Sequence, residues 1–138
     1  MTADHLCDLT PQILRLTGDP AFLPRWALGY SGSTMHYTDA PDASCQLLKF
    51  IDLLREHAIP CDSFQLSSGY TTIGSRRYVF TWDRDKFSQP TDTTRHFRDA
   101  GLHLAANIKP ALLTTHPYYR DVAEAGIFVT NSRTGEPA

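Results

Sequence analysis

The sequence predicts an α/β fold in which short parallel strands alternate with connecting helices, and three observations carry that expectation. An amphipathic stretch over Asp42–His57 sets Leu47, Ile51, Leu54 and Ala58 at helical spacing, with Leu48 and Phe50 widening the stripe. Apolar runs stand on either side of it, and each empties into small polar residues: Arg25–Tyr30 into Ser31-Gly32-Ser33-Thr34, and the run from Ile59 into Ser67-Ser68-Gly69. The alternation then continues as strand, helix, strand, clasp, helix, strand, helix, strand. Helical connections of this kind imply parallel strands and right-handed crossovers.

Taken in order, Leu9–Leu16 is a short helix in which Thr10 caps, Pro11 fits the first helical position and Gly18 terminates. Asp19–Pro24 is an extended link held open by its two prolines. Arg25–Tyr30 (RWALGY) is the first strand, and the helix over Asp42–His57 follows, with Pro41 marking its first turn. Ala58–Pro60 ends that helix and starts the second strand, in which Phe64 and Leu66 alternate with Ser63, Gln65 and Ser67. Between Tyr70 and Pro90 lies a long excursion. Arg77–Trp82 alternates as a strand there, so a hairpin or clasp over the mouth of the preceding strand is expected. Thr91–Ala100 is a helix capped by Thr91 and closed by Gly101. Leu102–Ile108 is the third strand, Pro117–Ala125 a helix stopped by Gly126, and Ile127–Thr130 a short fourth strand. No repeat or low-complexity segment interrupts this order.

The chain has 138 residues, enough for one domain with a core. A closed (β/α)8 barrel needs roughly 250 residues. The expectation is therefore either a small open sheet or part of a larger barrel, and the ending Thr134–Ala138 reads as a break within a loop. A formal net charge of −2 and a pI near 6.3 give no footprint for nucleic acid or an anionic membrane. No apolar run approaches the ~18 residues that span a bilayer. The three cysteines (Cys7, Cys45, Cys61) lack metal-ligand spacing and read as reduced thiols. With a start that has neither a basic nor an apolar leader region, they favour a cytoplasmic protein.

Chemistry is best sought at the strand ends, where α/β folds assemble their sites. Ser67-Ser68-Gly69-Tyr70 is either a plain Ser/Gly turn or a polar mouth where hydroxyls and backbone meet a ligand. Lys109, directly after the apolar run LAANI, either points its amine toward a pocket or snorkels over the rim. Tyr70 and Trp82 have flat faces that suit a sugar ring, and equally suit a core. Asp62 begins its strand at the end away from the mouth and reads as structural; Asp83 is placed to pair with Arg76 or Arg77. No two carboxylates converge at the spacing glycoside hydrolysis requires. The six histidines form no metal-ligand pattern, no G-x-S-x-G elbow exists, and no glycine-rich phosphate loop is present. No metal or cofactor is implied.

Five ordered stretches then carry a resemblance. LTGDPAFLPRWALGY (Leu16–Tyr30) resembles the entry to the catalytic barrel of glycoside hydrolase family 31, the α-glucosidase and α-xylosidase family, in its L-T-G start, its two prolines and its W-x-L-G-Y end. The similarity continues through YTDAP to REHAIPCDSFQLSSGY, which is similar to the family's R-x-x-x-I-P-x-D strand. FTWDRDKFSQP (Phe80–Pro90) resembles its F-T-W-D-x-x-x-F-x-x-P loop, AGLHLAANIKPAL its third strand, and AGIFVTNSRTGEP the segment that follows. The resemblance implies a partial (β/α)8 TIM barrel of three to four βα units, with residues 1–24 a helix and linker and 25–138 the barrel fragment. It also implies a retaining α-glycosidase whose nucleophile and acid/base aspartates lie beyond Ala138, so this chain holds no catalytic residue and is inactive alone.

The departures bear on substrate. The family's second strand ends W-x-D-I-D-Y, and the matching positions here are Gln65, Ser67 and Gly69; its third strand ends D-P or N-P, here Lys109-Pro110. Loss of those carboxylates implies an α-galactosidase-like rather than an α-glucosidase-like site, and the lysine alternatively favours an anionic group on the sugar. Ser67, Ser68, Tyr70, Trp82 and Lys109 are the implied substrate-binding residues, and an α-glycoside is the implied partner. The alternatives are a non-catalytic carbohydrate-binding or interaction module and an unrelated small α/β protein. Exposed strand edges in a partial barrel predict self-association, through the edge strand Ile127–Thr130.

Overall fold

The computed structural model describes residues 4–136; residues 1–3 and 137–138, the outer ends of the two expected segments, lie outside the described residues. Three short strands, β1 (Ser31–Ser33), β2 (Ser63–Leu66) and β5 (His103–Ala106), form a parallel sheet in the order β1-β2-β5. Gly32 stands opposite Phe64, and Phe64 opposite Leu104. Helices α3 (Ala43–Glu56) and α4 (Pro90–Asp99) connect these strands and pack together, with Ser44 Oγ 3.0 Å from Thr93 Oγ1.

Side chains alternate across the sheet as strand geometry requires. Gly32, Phe64, Leu66 and Leu104 face the helices, where Phe64 and Leu66 join Ala43, Leu47, Ile51, Phe97 and Leu102 in the core. Aromatic rings run through it from Tyr37 to Phe50, Phe64 and Phe97, with successive centroids 6.1, 4.9 and 5.7 Å apart. A β-carbon on Gly32 would lie 2.9 Å from both Phe50 Cζ and Phe64 Cδ2, so only glycine lets those rings close on β1. The opposite face carries Ser31, Ser33, Ser63, Gln65, His103 and Ala105, all exposed except Ser63. Parallel sheets normally bury both faces. An open inner face is what part of a closed barrel leaves bare.

The first strand is displaced from its expected position. Arg25–Leu28 forms a 3-10 turn after Pro24, and Trp26 stacks on His103 with centroids 3.9 Å apart and planes 19° from parallel. The pairing strand is the small-residue run behind it, because the core beneath β1 is already filled by Phe50 and Phe64. Helix α1 (Leu6–Thr17) starts before Thr10, with His5 as N-cap and Pro11 inside; none of its residues is buried, so the carbonyl left unpaired by Pro11 stays near solvent. Gly18 does close it, its N–H donating to Leu14 O at 2.8 Å.

Further along, helix α3 ends through Ala58, whose φ of +51° lies in the left-handed region, with Ile59 N–H donating to Leu54 O. Replacing Ala58 by glycine is expected to raise stability by about 1 kcal/mol, because an alanine pays a steric penalty there that glycine does not. An unchanged urea midpoint would contradict this.

The clasp is a hairpin of β3 (Thr72–Ile73) and β4 (Arg76–Arg77), turned by Gly74, and not a strand over Arg77–Trp82. Phe80 has φ +63° and Thr81 N–H bonds back to Tyr78 O, so the extended run breaks there. Helix α4 is capped at Gln89 with Pro90 in its first turn, displacing Thr91 from the cap. After α5 (Tyr119–Glu124), Ile127–Thr130 forms no strand; only Thr130 makes an isolated bridge, and Ile127 and Val129 are exposed, with no strand among the described residues pairing them. No helix among the described residues is long and apolar enough to cross a membrane.

Candidate sugar-site mouth

The C-terminal ends of β1, β2 and β5 lie side by side, so the residues after each strand share one rim. After β1, Thr34 caps α2 (Met35–Asp39) by accepting from His36 N–H at 3.1 Å. After β2, Ser67 leads into a 3-10 turn over Ser68–Thr71, held by Thr71 Oγ1 donating to Ser68 O. After β5 come Asn107, Ile108 and Lys109.

Two contacts lock the first two ends together. Ser33 Oγ donates to Gln65 O at 3.0 Å. Gly69 abuts α2 so closely that an added β-carbon would lie 2.2 Å from Asp39 Oδ1 and 2.7 Å from the Thr38 backbone carbonyl. The Asp39 carboxylate also receives Arg77 Nη2 at 3.3 Å on both oxygens, while Arg77 Nη1 donates to Ser68 Oγ. Asp39, Arg77 and Ser68 thus form one polar chain across the mouth.

Tyr70 ties in the third end. Its hydroxyl donates to Asn107 O at 3.2 Å, and its ring packs on Trp82, which meets Phe87 edge-on. Both rings therefore support the mouth from the core side. Burial pushes the Tyr70 hydroxyl above its ordinary value of 10.0. An unfolded tyrosine loses its proton first as pH rises, so the unfolded chain binds fewer protons and stability falls upward from about pH 10. Urea midpoints measured on either side of that pH are expected to fall more steeply for the native chain than for Tyr70→Phe. Parallel decline in the two would contradict it.

Ser68 and Lys109 line one cavity of about 410 Å³ with Ser75, Arg76, Arg77 and Val79. Ser67 is partly buried beside it, at the junction of β2 and the turn. Asp83 does not meet Arg76 or Arg77: its Oδ1 accepts from the Asp85 and Lys86 N–H groups, and Oδ2 lies 3.7 Å from Lys86 Nζ. The clasp folds locally there, and Arg77 turns instead to Asp39. Asp62 lies at the far end, where a β-carbon on Gly29 would meet its Oδ2 at 1.8 Å. His116 is buried, donating from Nε2 to Val79 O at 2.7 Å and accepting Tyr118 N–H on Nδ1 at 3.0 Å, so it fastens the clasp to α5. His116→Ala leaves that carbonyl unpaired and is expected to lower stability by about 1–3 kcal/mol, read by urea denaturation. No cluster of three metal-ligating side chains occurs among the described residues.

Asp39 and Asn107 are the mouth residues that periodicity and spacing did not single out. Asp39 acts across 30 positions of sequence on Gly69, and the glycine itself was the available signal: a strand end that tolerates no side chain has something pressed against it.

The fold is that of part of an α/β barrel with a polar rim at the C-terminal ends of its strands. The profile of the glycosyl hydrolases family 31 TIM-barrel domain matches residues 20–137, and the chain belongs to that family. It is 27% identical over 116 residues to alpha-xylosidase XylQ of Lactiplantibacillus pentosus, covering 84% of this chain and 15% of that protein. It is 31% identical over 134 residues to neutral alpha-glucosidase C of Homo sapiens, covering 95% and 14%. A family 31 dextranase of Flavobacterium johnsoniae, solved with glucose, superposes with a TM-score of 0.80 at 23% identity over 99% of this chain and 16% of that one, a likeness of fold. The chain spans between 12% and 18% of the length of the curated relatives it matches. Those relatives are α-xylosidases and neutral α-glucosidases, which gives the expectation of an α-galactosidase-like site no support.

Proposed function

We propose that this chain supplies the first strands, about three βα units, of a retaining family 31 α-glycosidase barrel, with residues 25–138 as the barrel segment behind an N-terminal helix and linker. Its mouth forms part of the site for the non-reducing sugar. The observation that carries this reading is the shared rim at the ends of β1, β2 and β5, where Ser68, Lys109 and Arg77 border one cavity. Ser67, Ser68 and Lys109 are the direct sugar contacts in this reading, and Tyr70 and Trp82 hold the rim from behind. The nucleophile and the acid/base lie outside the chain, so by itself it binds without hydrolysing.

The carboxylate missing at Ser67 and Gly69 is offset by Asp39, whose Oδ1 occupies the space beside Gly69. A carboxylate able to accept sugar hydroxyls is thus kept at the mouth from a different element. That weakens the case for excluding gluco-configured substrates, and the relatives' names favour α-glucosides and α-xylosides over α-galactosides. Amide shifts of the isotope-labelled chain titrated with methyl α-glucoside, α-xyloside and α-galactoside test the reading. Shifts at Ser67, Ser68 and Lys109 are expected. Shifts confined to Ala58–Cys61, at the opposite end of the strands, would contradict it.

A further inference from the structure

We infer that the cavity between β4 and residues 109–113 is an anion-recognising subsite, and that the glycoside it takes carries an acidic substituent. This rests on the glycosidase reading and specifies its substrate class. The cavity's volume of about 410 Å³ is within the range of small-molecule sites. Three cations border it, Arg76, Arg77 and Lys109, and no carboxylate lines it. Arg77 is neutralised by Asp39. The Arg76 guanidinium has only a hydroxyl partner, donating from Nη1 to Thr115 Oγ1 at 3.3 Å, and the Lys109 amine has no hydrogen-bond or ion-pair partner among the described residues, although the Lys109 carbonyl accepts from Ala111 N–H.

Both unpaired cations are exposed on the rim of one concavity, where an anion can pair with each of them. The remaining lining suits the rest of such a ligand. Ser68 and Ser75 offer hydroxyls, while Val79 and Leu112 present an apolar wall of the kind a pyranose ring rests on. Arg76 is also positioned rather than free: Thr115 holds its guanidinium, and the Tyr78 hydroxyl lies 3.3 Å from the same Thr115 Oγ1. An arginine so oriented can offer two parallel N–H groups to a carboxylate, sulfate or phosphate.

The test compares methyl α-galacturonoside and methyl α-glucuronoside with their neutral hexosides and with inorganic phosphate, all titrated into the labelled chain at constant ionic strength. The uronides are expected to bind about tenfold more tightly than the hexosides, with shifts at Ser68, Ser75 and Lys109. Lys109→Met and Arg76→Gln are each expected to bring that ratio toward one. Because a variant can unfold, the native chain is also titrated at rising salt, where uronide affinity falls and hexoside affinity holds. Hexosides binding as well as uronides overturns the inference and leaves the glycoside reading standing. Phosphate matching the uronides means an adventitious ion only, and also overturns it. If neither sugar class binds, both readings fall together.

Discussion

Replacing Phe64 by alanine is expected to remove most of the chain's stability at room temperature. Phe64 is 1% exposed at the centre of the sheet, between the rings of Phe50 and Phe97 and flush against Gly32. Phe→Ala in a core removes about 3–5 kcal/mol, through lost transfer energy and an unfilled cavity. Whole domains hold only about 5–15 kcal/mol, and this sheet is packed on one face alone, so the chain belongs at the lower end of that range. The cavity cannot close, because β1 and β2 are fixed by register and α3 and α4 by their own contact. Circular dichroism against urea reads the outcome. A loss below about 1.5 kcal/mol, the range of a tolerated core swap, would mean that the aromatic run is not the structural centre.

Gly69→Asp, the change that restores the residue expected there from the family's strand pattern, is expected to cost about 3 kcal/mol, from overpacking together with a like charge. Its β-carbon would fall 2.2 Å from Asp39 Oδ1 and 2.7 Å from the Thr38 carbonyl, and the new carboxylate would face the old one. Asp39 can swing away but the Thr38 backbone cannot, so α2 must move off the mouth. Adding Asp39→Ser removes the charge and the nearer contact, and the pair is expected to recover at least about 1 kcal/mol relative to the sum of single changes, the scale on which touching residues couple. Strict additivity in the double-mutant cycle would show that Asp39 does not hold the space beside Gly69.

Helices were the more legible part of this chain. Leu47 and Ile51 repeat at helical spacing, and both are buried on α3 over nearly the expected length. Strand β2 was equally readable, since Phe64 and Leu66 alternate with polar neighbours. Strand β1 was not, because its length and place are set by rings arriving from Phe50 and Phe64, while the apolar run before it is drawn off to stack Trp26 on His103. The clasp misled for a local reason: Arg77–Trp82 alternates well, but Phe80 takes a left-handed backbone that no alternation pattern reports.

The same holds at the mouth. Ser68 and Lys109 were singled out because small hydroxyls and an amine at strand ends are unusual core material, and the two line one cavity. Tyr70 and Trp82 were marked for their flat faces; Tyr70 is buried against Trp82, while half-buried Trp82 meets Tyr70 and Phe87 and also lines a second cavity with Leu66 and Ala106. The Asp39–Arg77–Ser68 chain joins residues up to 38 positions apart in three separate elements, and only folding brings them together.

The central claim, that this chain is the opening segment of a retaining family 31 α-glycosidase barrel, is most directly tested by the natural gene product acting on α-xylosides, α-glucosides, α-galactosides and their uronic analogues, followed by proton NMR. Hydrolysis of at least one α-glycoside is predicted, with the α-anomer appearing first and the β-anomer only later by mutarotation, while this 138-residue chain alone releases nothing. First release of the β-anomer, or no hydrolysis of any α-glycoside, would contradict the account.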